Sequence, residues 1–227
     1  MTDRYIVFAD VDDTLIAHKS MVGFMDYLLE RDPFAAEPAA EPMRQERHAI
    51  QEARSRAADR AALHRRYYRL FEGLTRGEVR RAAHGWLREV TDRGELFVRA
   101  AYQEILDHKA DGAELVLVSG SFLEVLAPIG IAVGADGLLC TELATANGVC
   151  TGATGEPLVG EGKWEAIRRY LHGRDDVRME DCYAYGDHVT DVCFMEKVGH
   201  AVVVGTCPVL REIAERRNWR VLTEEHA

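Results

Sequence analysis

The chain has 227 residues, with 28 lysines and arginines against 38 aspartates and glutamates, and a formal net charge of −10. This length suits one large domain, or one domain that carries a smaller insertion. Apolar residues make up 47% and charged residues 29%, which excludes full disorder, a collagen-like chain and a small disulfide scaffold. The acidic balance also disfavours a nucleic-acid partner, because nucleic-acid binding normally needs a basic surface.

The sequence lacks the marks of membrane insertion and of export. No run approaches the roughly 18 consecutive apolar residues that a transmembrane helix needs. The amino-terminal segment carries acids where a signal peptide would have a basic start and a long apolar stretch. We therefore expect no membrane partner and a cytoplasmic location.

The first part of the chain contains one strand signal followed by helical sequence. Residues 4–9 form a short apolar run that ends in acids, which is typical of a buried parallel strand. Apolar residues at helical spacing follow at 20–30, and good helix formers dominate 43–72. The segment 32–42 between them holds three prolines and is predicted to be a linker or loop.

The later part of the chain alternates between strand and helix signals. Asn147 and Gly148 lie between two stretches in which apolar and polar residues alternate. This pattern is a strong signal for a small β-hairpin. Alternation of strands and helices predicts an α/β fold with a Rossmann-like parallel sheet and helices on both faces. The apolar runs that predict strands lie at 114–121, 182–187, 200–205 and 219–222.

The helical sequence divides the predicted sheet after its first strand. Thr75 followed by Glu78 predicts a capping box at the start of a further helix. We therefore expect a helical cap at 19–93, inserted into an α/β core that consists of 1–18 and 94–227.

Residues 44–69 of the predicted cap carry eight arginines against three acids. Such a run is usually a solvated helix face. It could instead present positive charge to an anionic substrate, for which Arg44, Arg47 and Arg54 are candidates that spacing alone does not rank.

Aspartates follow two of the predicted strands. Asp10 and Asp12 come at the end of the first strand, two residues apart, so their side chains can face one pocket. Asp187 and Asp191 lie just beyond a later strand. Neighbouring carboxylates need a cation or must share a proton, and oxygen ligands from separate strand ends suit Mg²⁺. The sequence therefore predicts a Mg²⁺ site here, with a neutral carboxylate network as the less favoured alternative.

Two further positions could hold a phosphate group at the same edge. Ser119 and Gly120 end a predicted strand, where a hydroxyl and backbone N–H groups can bind phosphate oxygens, although such a turn is also a simple helix cap. Lys163 opens a predicted helix, where a cation opposes the helix dipole, which indicates a role beyond helix stability. The stretch is not a P-loop, because Pro157 and Trp164 replace required residues.

Taken together, these motifs resemble those of the haloacid dehalogenase superfamily of phosphatases. Four motifs of that superfamily occur in order, each at the expected element boundary, and they extend over nearly the whole chain. The helical insertion after the first motif resembles the cap of the phosphoserine-phosphatase-like branch, subfamily IB. The motifs are Asp10-Val11-Asp12-Asp13-Thr14-Leu15, Ser119-Gly120-Ser121, Lys163 and Gly186-Asp187-His188-Val189-Thr190-Asp191.

The resemblance implies a Mg²⁺-dependent phosphatase that forms an aspartyl-phosphate on a small phosphorylated metabolite. Asp10 would attack phosphorus, and Asp12 would protonate the leaving oxygen and then activate water. Asp10, Asp187 and the backbone carbonyl of Asp12 would bind Mg²⁺, with Asp191 supporting the metal site. The phosphate-binding residues that it implies are Thr14, which also positions the first loop, Ser119, Gly120 and Lys163.

Other functions are compatible with the same motifs. A mutase or phosphotransferase would use the same intermediate and pass the phosphoryl group to an alcohol, and the sequence does not separate it from a phosphatase. A non-catalytic binding protein with this fold is disfavoured by the intact set of Asp10, Asp12, Lys163 and Asp187.

Two residues depart from the family pattern. His188 stands where the fourth motif commonly has a small residue, and it could contact substrate or fill space. Lys19 lies nine residues after Asp10, where phosphoserine phosphatases have a glutamate that binds the substrate's ammonium group. Lys19 would repel an ammonium group, so we expect phosphoserine to be a poor substrate and a less cationic or anionic ester to be preferred. Alternatively, Lys19 faces solvent in a mobile entry loop.

Overall fold

A computed structural model describes residues 5–55 and 60–223. The strands are β1 Ile6–Ala9, β2 Glu114–Phe122, β3 Gly137–Thr141, β4 Leu143–Ala146, β5 Val149–Thr154, β6 Tyr183–Gly186, β7 His200–Val204 and β8 Arg220–Leu222. The α-helices are α1 Ser20–Glu30, α2 Ala40–Ser55, α3 Arg60–Arg69, α4 Arg76–Asp92, α5 Arg99–Ala110, α6 Leu123–Val133, α7 Glu161–Tyr170, α8 Val192–Met195 and α9 Pro208–Arg217. Short 3-10 helices span Pro33–Ala36, Met179–Asp181 and Val189–Asp191.

A six-stranded sheet with the order β3-β2-β1-β6-β7-β8 forms the centre of the fold, and each neighbouring pair is parallel. β1 lies in the middle, where Val7 pairs with Leu115 of β2 and with Tyr183 of β6. Along the chain, β2 and β3 are added on one side of β1, and β6, β7 and β8 are then added on the other side. The carboxyl ends of β2, β1 and β6 therefore open onto one crevice, the usual ligand site of such sheets.

Helical layers cover both faces of the sheet, which confirms the predicted α/β class. Alternate residues of β1 point to opposite faces. Val7 and Ala9 pack in one apolar cluster with residues of α1, α4, α5 and α6, whereas Ile6 and Phe8 pack in a second with residues of α7, α8 and α9. Within the described ranges, none of the helices combines the length and apolar character needed to cross a lipid bilayer.

The segment that links β1 to α5 contains α1 to α4 and packs directly on the sheet. Phe122 at the end of β2 is fully buried. Its ring centroid lies 5.7 Å from that of Phe24, 5.7 Å from that of Tyr68 and 5.1 Å from that of Phe71. These aromatic contacts join the helical segment and the sheet in one apolar core.

Two details of this segment bear on the sequence predictions. The stretch 32–42 is not simply a loop, because it contains the 3-10 helix Pro33–Ala36 and the start of α2. Pro42 lies in the first turn of α2, where its missing N–H breaks no helical hydrogen bond. Residues 56–59 of the predicted helical stretch 43–72 lie outside the described residues.

The predicted hairpin is present as β4 and β5, which pair antiparallel. Asn147 and Gly148 at its turn have φ values of 52° and 80°, as a tight two-residue turn requires. The hairpin contacts the helical segment, because Gly73 N–H donates to Cys150 O at 2.9 Å and Cys150 N–H donates to Leu74 O at 2.8 Å.

The capping box of α4 is confirmed and provides a stability test. Thr75 Oγ1 accepts from the Glu78 N–H at 3.2 Å, and Glu78 Oε2 accepts from the Thr75 N–H at 2.7 Å. We expect Thr75→Ala to lower the free energy of unfolding by about 1 kcal/mol, because the Glu78 N–H loses its acceptor. Chemical denaturation measures this loss. Thr75→Ser keeps the hydroxyl and serves as the control, and equal stability of both variants would contradict the assignment.

Candidate active site

Four aspartates meet in one cavity at the carboxyl edge of the sheet. Asp10 and Asp12 follow β1, Asp187 follows β6, and Asp191 ends the 3-10 helix Val189–Asp191. Asp10, Asp187 and Asp191 each offer a carboxylate oxygen, and these atoms lie within 4.8 Å of one another. Asp10 is 5% exposed and Asp191 1% exposed, so their charges are largely removed from water.

Lys163 joins two of these carboxylates. Its Nζ donates to Asp10 Oδ1 and to Asp191 Oδ1, both at 2.6 Å. Burial opposes a charged amine, but the two carboxylates outweigh it and raise the pKa of Lys163 above its ordinary value. Gly160, with a φ of 55°, turns the chain into α7 so that Lys163 enters the cavity from the first turn.

Asp12 has the properties of a general acid and base. It lines the cavity, and its Oδ1 is buried without a hydrogen bond to any atom of residues 5–55 or 60–223. Burial raises the pKa of Asp12 to about 6, with the charge of Asp10 adding to this shift and Ser20 opposing it. A carboxyl group with this pKa can exchange a proton near neutral pH.

The remaining carboxylates fit a divalent cation. Burial and then the charge of Asp10 raise the pKa of Asp187 to about 7, so an added positive charge would relieve this repulsion. Oxygen donors on Asp10, Asp187 and Asp191 are the type that Mg²⁺ prefers. Asp191 also accepts from Lys163 and, at 3.2 Å, from the His188 backbone N–H, which suits a supporting position.

The end of β2 offers polar groups to the same cavity. The pairing of β2 with β3 shifts register between Ser119 and Phe122, and this irregularity turns residues 119–121 toward the cavity. Ser119 Oγ accepts from the Ser121 N–H at 3.1 Å. Ser121 Oγ is buried and finds no hydrogen-bond partner in the described part of the chain. Ser121 was not among the predicted site residues, although its position two residues after Ser119 places it at the same strand end.

Gly120 is held by residues of α3. The Tyr68 hydroxyl donates to Gly120 O at 2.9 Å. A Cβ added to Gly120 would lie 2.8 Å from His64 Cε1 and 3.3 Å from Leu158 O. A larger residue at position 120 would therefore have to displace His64 or the loop, and the segment α1 to α4 directly contacts the candidate phosphate-binding loop.

Thr14 lies beside Asp10, in keeping with the implied role in positioning the first loop. It is fully buried and is not among the residues that line the cavity. Its hydroxyl donates to Asp10 Oδ2 at 3.1 Å. With Lys163 on the other oxygen of Asp10, this geometry orients the Asp10 carboxylate, and contact of Thr14 with a phosphate stays a prediction.

Lys19 and His188 both line the cavity. Lys19 Nζ lies 2.6 Å from Asp13 Oδ2 and 3.7 Å from Asp187 Oδ2, so its charge faces the carboxylates of the site and not open solvent alone. His188 Nδ1 accepts from the Thr190 N–H at 3.2 Å. The imidazole of His188 therefore stabilises the turn after β6 while it borders the cavity.

The arginine run does not supply positive charge to the cavity in the described part of the chain. Arg44 donates to backbone oxygens of Leu29 and Ala35 at 3.0 and 2.7 Å, and Arg47 pairs with Asp26. The side chain of Arg54 lies outside the described residues.

Apolar residues of α1 to α3 and of the segment before α7 line the cavity, which the sequence did not reveal. Helical periodicity marks Leu63 and Tyr67 as one face of α3, but it does not say what that face covers. The apolar and aromatic lining residues are Met21, Val22, Ile50, Leu63, Tyr67, Leu158 and Val159.

The chain matches the haloacid dehalogenase-like hydrolase family over residues 7–196. A probable phosphatase of Mycobacterium tuberculosis is 40% identical over 119 residues, which make up 52% of this chain and 41% of that protein. The match thus spans less than half the length of this relative.

Solved structures share the fold. A Bordetella pertussis Tohama I protein of unknown function has a TM-score of 0.84 and 29% identity, covering 97% of this chain and 99% of that one. A phosphoserine phosphatase solved with a phospho-aspartyl intermediate analogue has a TM-score of 0.67 and 19% identity. The match covers 99% of this chain and 95% of that one. At this identity the second likeness concerns the fold alone.

The contact between Gly120 and His64 gives a test of the candidate phosphate loop. We expect Gly120→Ala to lower kcat/KM for a phosphate ester by about tenfold to a hundredfold, because the new Cβ must displace His64 or the loop. Steady-state phosphate release measures the loss. Gly155→Ala is the matched control, since no atom lies within 4 Å of its added Cβ. Equal activity of both variants would show that the loop tolerates the displacement.

Proposed function

Because the chain belongs to the haloacid dehalogenase-like hydrolase family, we propose that it hydrolyses a phosphomonoester of a small metabolite in the cytoplasm, without a nucleic-acid or membrane partner. The observation that carries this proposal is the joint placement in one cavity of Asp10, a carboxylate fixed by Thr14 and Lys163, and Asp12, a carboxyl with a raised pKa. A nucleophile and a proton donor in one cavity suit transfer of a phosphoryl group to the protein.

In the first step, an Asp10 oxygen forms a bond to phosphorus while the bond from phosphorus to the ester oxygen breaks. Thr14 and Lys163 hold the Asp10 carboxylate in one orientation, which reduces the entropy lost in reaching the transition state. Protonated Asp12 gives its proton to the departing ester oxygen, so that the alcohol leaves neutral. The products of this step are the alcohol, an aspartyl-phosphate on Asp10 and the Asp12 carboxylate.

In the second step, Asp12 accepts a proton instead of donating one. Its carboxylate takes a proton from a water molecule whose oxygen attacks the phosphorus of the aspartyl-phosphate. The bond between phosphorus and the Asp10 oxygen then breaks, which releases inorganic phosphate and restores both aspartates. A pKa of about 6 for Asp12 suits both directions of proton transfer near neutral pH.

The charges around the cavity suit an anionic substrate. Lys163 places its ammonium beside Asp10, and Ser119, Ser121 and the Gly120 backbone border the position of the phosphoryl oxygens. Asp10, Asp187 and the backbone carbonyl of Asp12 would hold Mg²⁺, and Asp191 would support this site. The ion would supply positive charge that lowers the repulsion between the nucleophile and the phosphate.

The role of Asp10 as nucleophile is tested by removing its charge. We expect Mg²⁺-dependent phosphate release from an aryl phosphate, with EDTA abolishing it and Asp10→Asn reducing it by at least about a thousandfold. Colorimetric phosphate release measures both effects. Asp92→Asn changes the same side chain at an exposed position on α4 and should keep full activity. Turnover by Asp10→Asn equal to that of the unchanged protein would refute covalent catalysis.

Asp12 gives a separate test of the second step. An aryl leaving group needs little protonation, so Asp12→Asn should still transfer the phosphoryl group to Asp10 but lack the base that activates water. We expect this variant to accumulate up to one phosphoryl group per chain, seen by intact-mass spectrometry after rapid quenching. A variant that turns over slowly without ever carrying phosphate would argue against the aspartyl-phosphate.

A further inference from the structure

The candidate active site has two chemically different halves. The charged half lies at the sheet edge and contains Asp10, Asp12 and Lys163. The opposite half is formed by α1, α2, α3 and the segment before α7. We call this second half the apolar wall, which consists of Met21, Val22, Ile50, Leu63, Tyr67, Leu158 and Val159.

The one polar side-chain group of the apolar wall itself, the Tyr67 hydroxyl, is engaged within the protein. The Tyr67 hydroxyl donates to the backbone oxygen of Met21, so the phenol presents its ring and not a donor. His64, one turn earlier on α3, also lines the cavity, and its Cε1 lies against Gly120 on the side of the phosphate-binding loop.

The wall also offers no charge to pair with a charged substrate group. Among lining residues whose side chains are described, the segment α1 to α4 supplies neither a carboxylate nor an arginine. Lys19, at the border of the two halves, is paired with Asp13 at 2.6 Å and also lies 3.7 Å from Asp187, so its charge is directed to carboxylates of the charged half. An ammonium or carboxylate group buried against the wall would lose its hydration without gaining an ion pair, which is unfavourable. Methylene groups buried there would gain from leaving water.

We propose that the phosphate ester cleaved by this protein has an uncharged, apolar alkyl or aryl leaving group, which packs on the apolar wall. This inference rests on the proposed phosphatase function and adds the substrate class. It also goes further than the expectation from Lys19, because it disfavours anionic as well as cationic leaving groups.

Three small esters of similar size test the proposal directly. Propyl phosphate, O-phosphoethanolamine and phosphoglycolate differ chiefly in whether the leaving group ends in a methyl, an ammonium or a carboxylate. We expect kcat/KM for propyl phosphate to exceed that for each charged ester by about tenfold or more. A charged ester hydrolysed as well as or better than propyl phosphate would overturn the inference.

A variant of the wall makes the test specific to this surface. Val22→Thr keeps the shape of the side chain and replaces a methyl group by a hydroxyl. We expect it to narrow the preference for propyl phosphate several-fold, while inhibition by inorganic phosphate, which occupies only the charged half, stays unchanged. Val209→Thr on α9, where the side chain is 54% exposed and outside the cavity, is the matched control. An unchanged preference in Val22→Thr would count against the wall.

An aryl phosphate assay separates failure of the substrate class from failure of the phosphatase function. If the protein hydrolyses the aryl ester in an Asp10-dependent way but does not favour propyl phosphate, the substrate class is wrong and the phosphatase function stands. If neither the aryl phosphate nor any of the three esters is hydrolysed, the proposed function itself fails, and the inference fails with it.

Discussion

The buried ammonium of Lys163 between Asp10 and Asp191 is the interaction on which the candidate site depends. Both carboxylates lie almost entirely out of water, and each has the ammonium nitrogen at 2.6 Å. Removing one partner of such a buried group typically costs about 3–5 kcal/mol, because the remaining charge is left without compensation. Asp10 and Lys163 are 153 residues apart in the chain, so this contact exists only when the sheet is complete.

The parallel sheet explains how distant segments reach this contact. β2, β1 and β6 are neighbours, and each delivers its polar residues at the carboxyl end, so three separate motifs converge at one edge. The insertion of α1 to α4 directly after β1 places a second surface opposite that edge. Tyr68 and Phe122 tie this surface to β2, which makes the helices part of the walls of the site.

Net charge is a poor guide to what such a cavity accepts. The chain is acidic overall, yet the cavity combines acids with Lys163 and Lys19 on one side and an apolar wall on the other. Arg44 and Arg47, which carry part of the positive charge of the helical segment, bind other groups of that segment. Charge close to the reacting atoms matters more than the sum over the surface, because burial strengthens nearby interactions and water screens distant ones.

The sequence by itself determined the features that depend on local chemistry. An apolar run ending in Asp10 and Asp12 specified a strand and its acidic end, Thr75 with Glu78 specified a helix start, and Asn147-Gly148 specified a turn. Each of these depends on residues a few positions apart, so its pattern is visible without the fold.

Only the tertiary structure decided which groups meet. It brought the Thr14 hydroxyl to Asp10 and the Tyr68 hydroxyl to the backbone oxygen of Gly120. It also turned an apolar face of α3 toward the cavity. Helical periodicity shows that a face is buried but not what covers it. The partners of a buried side chain are set by packing between elements that are remote in sequence, and that information arises only when the chain has folded.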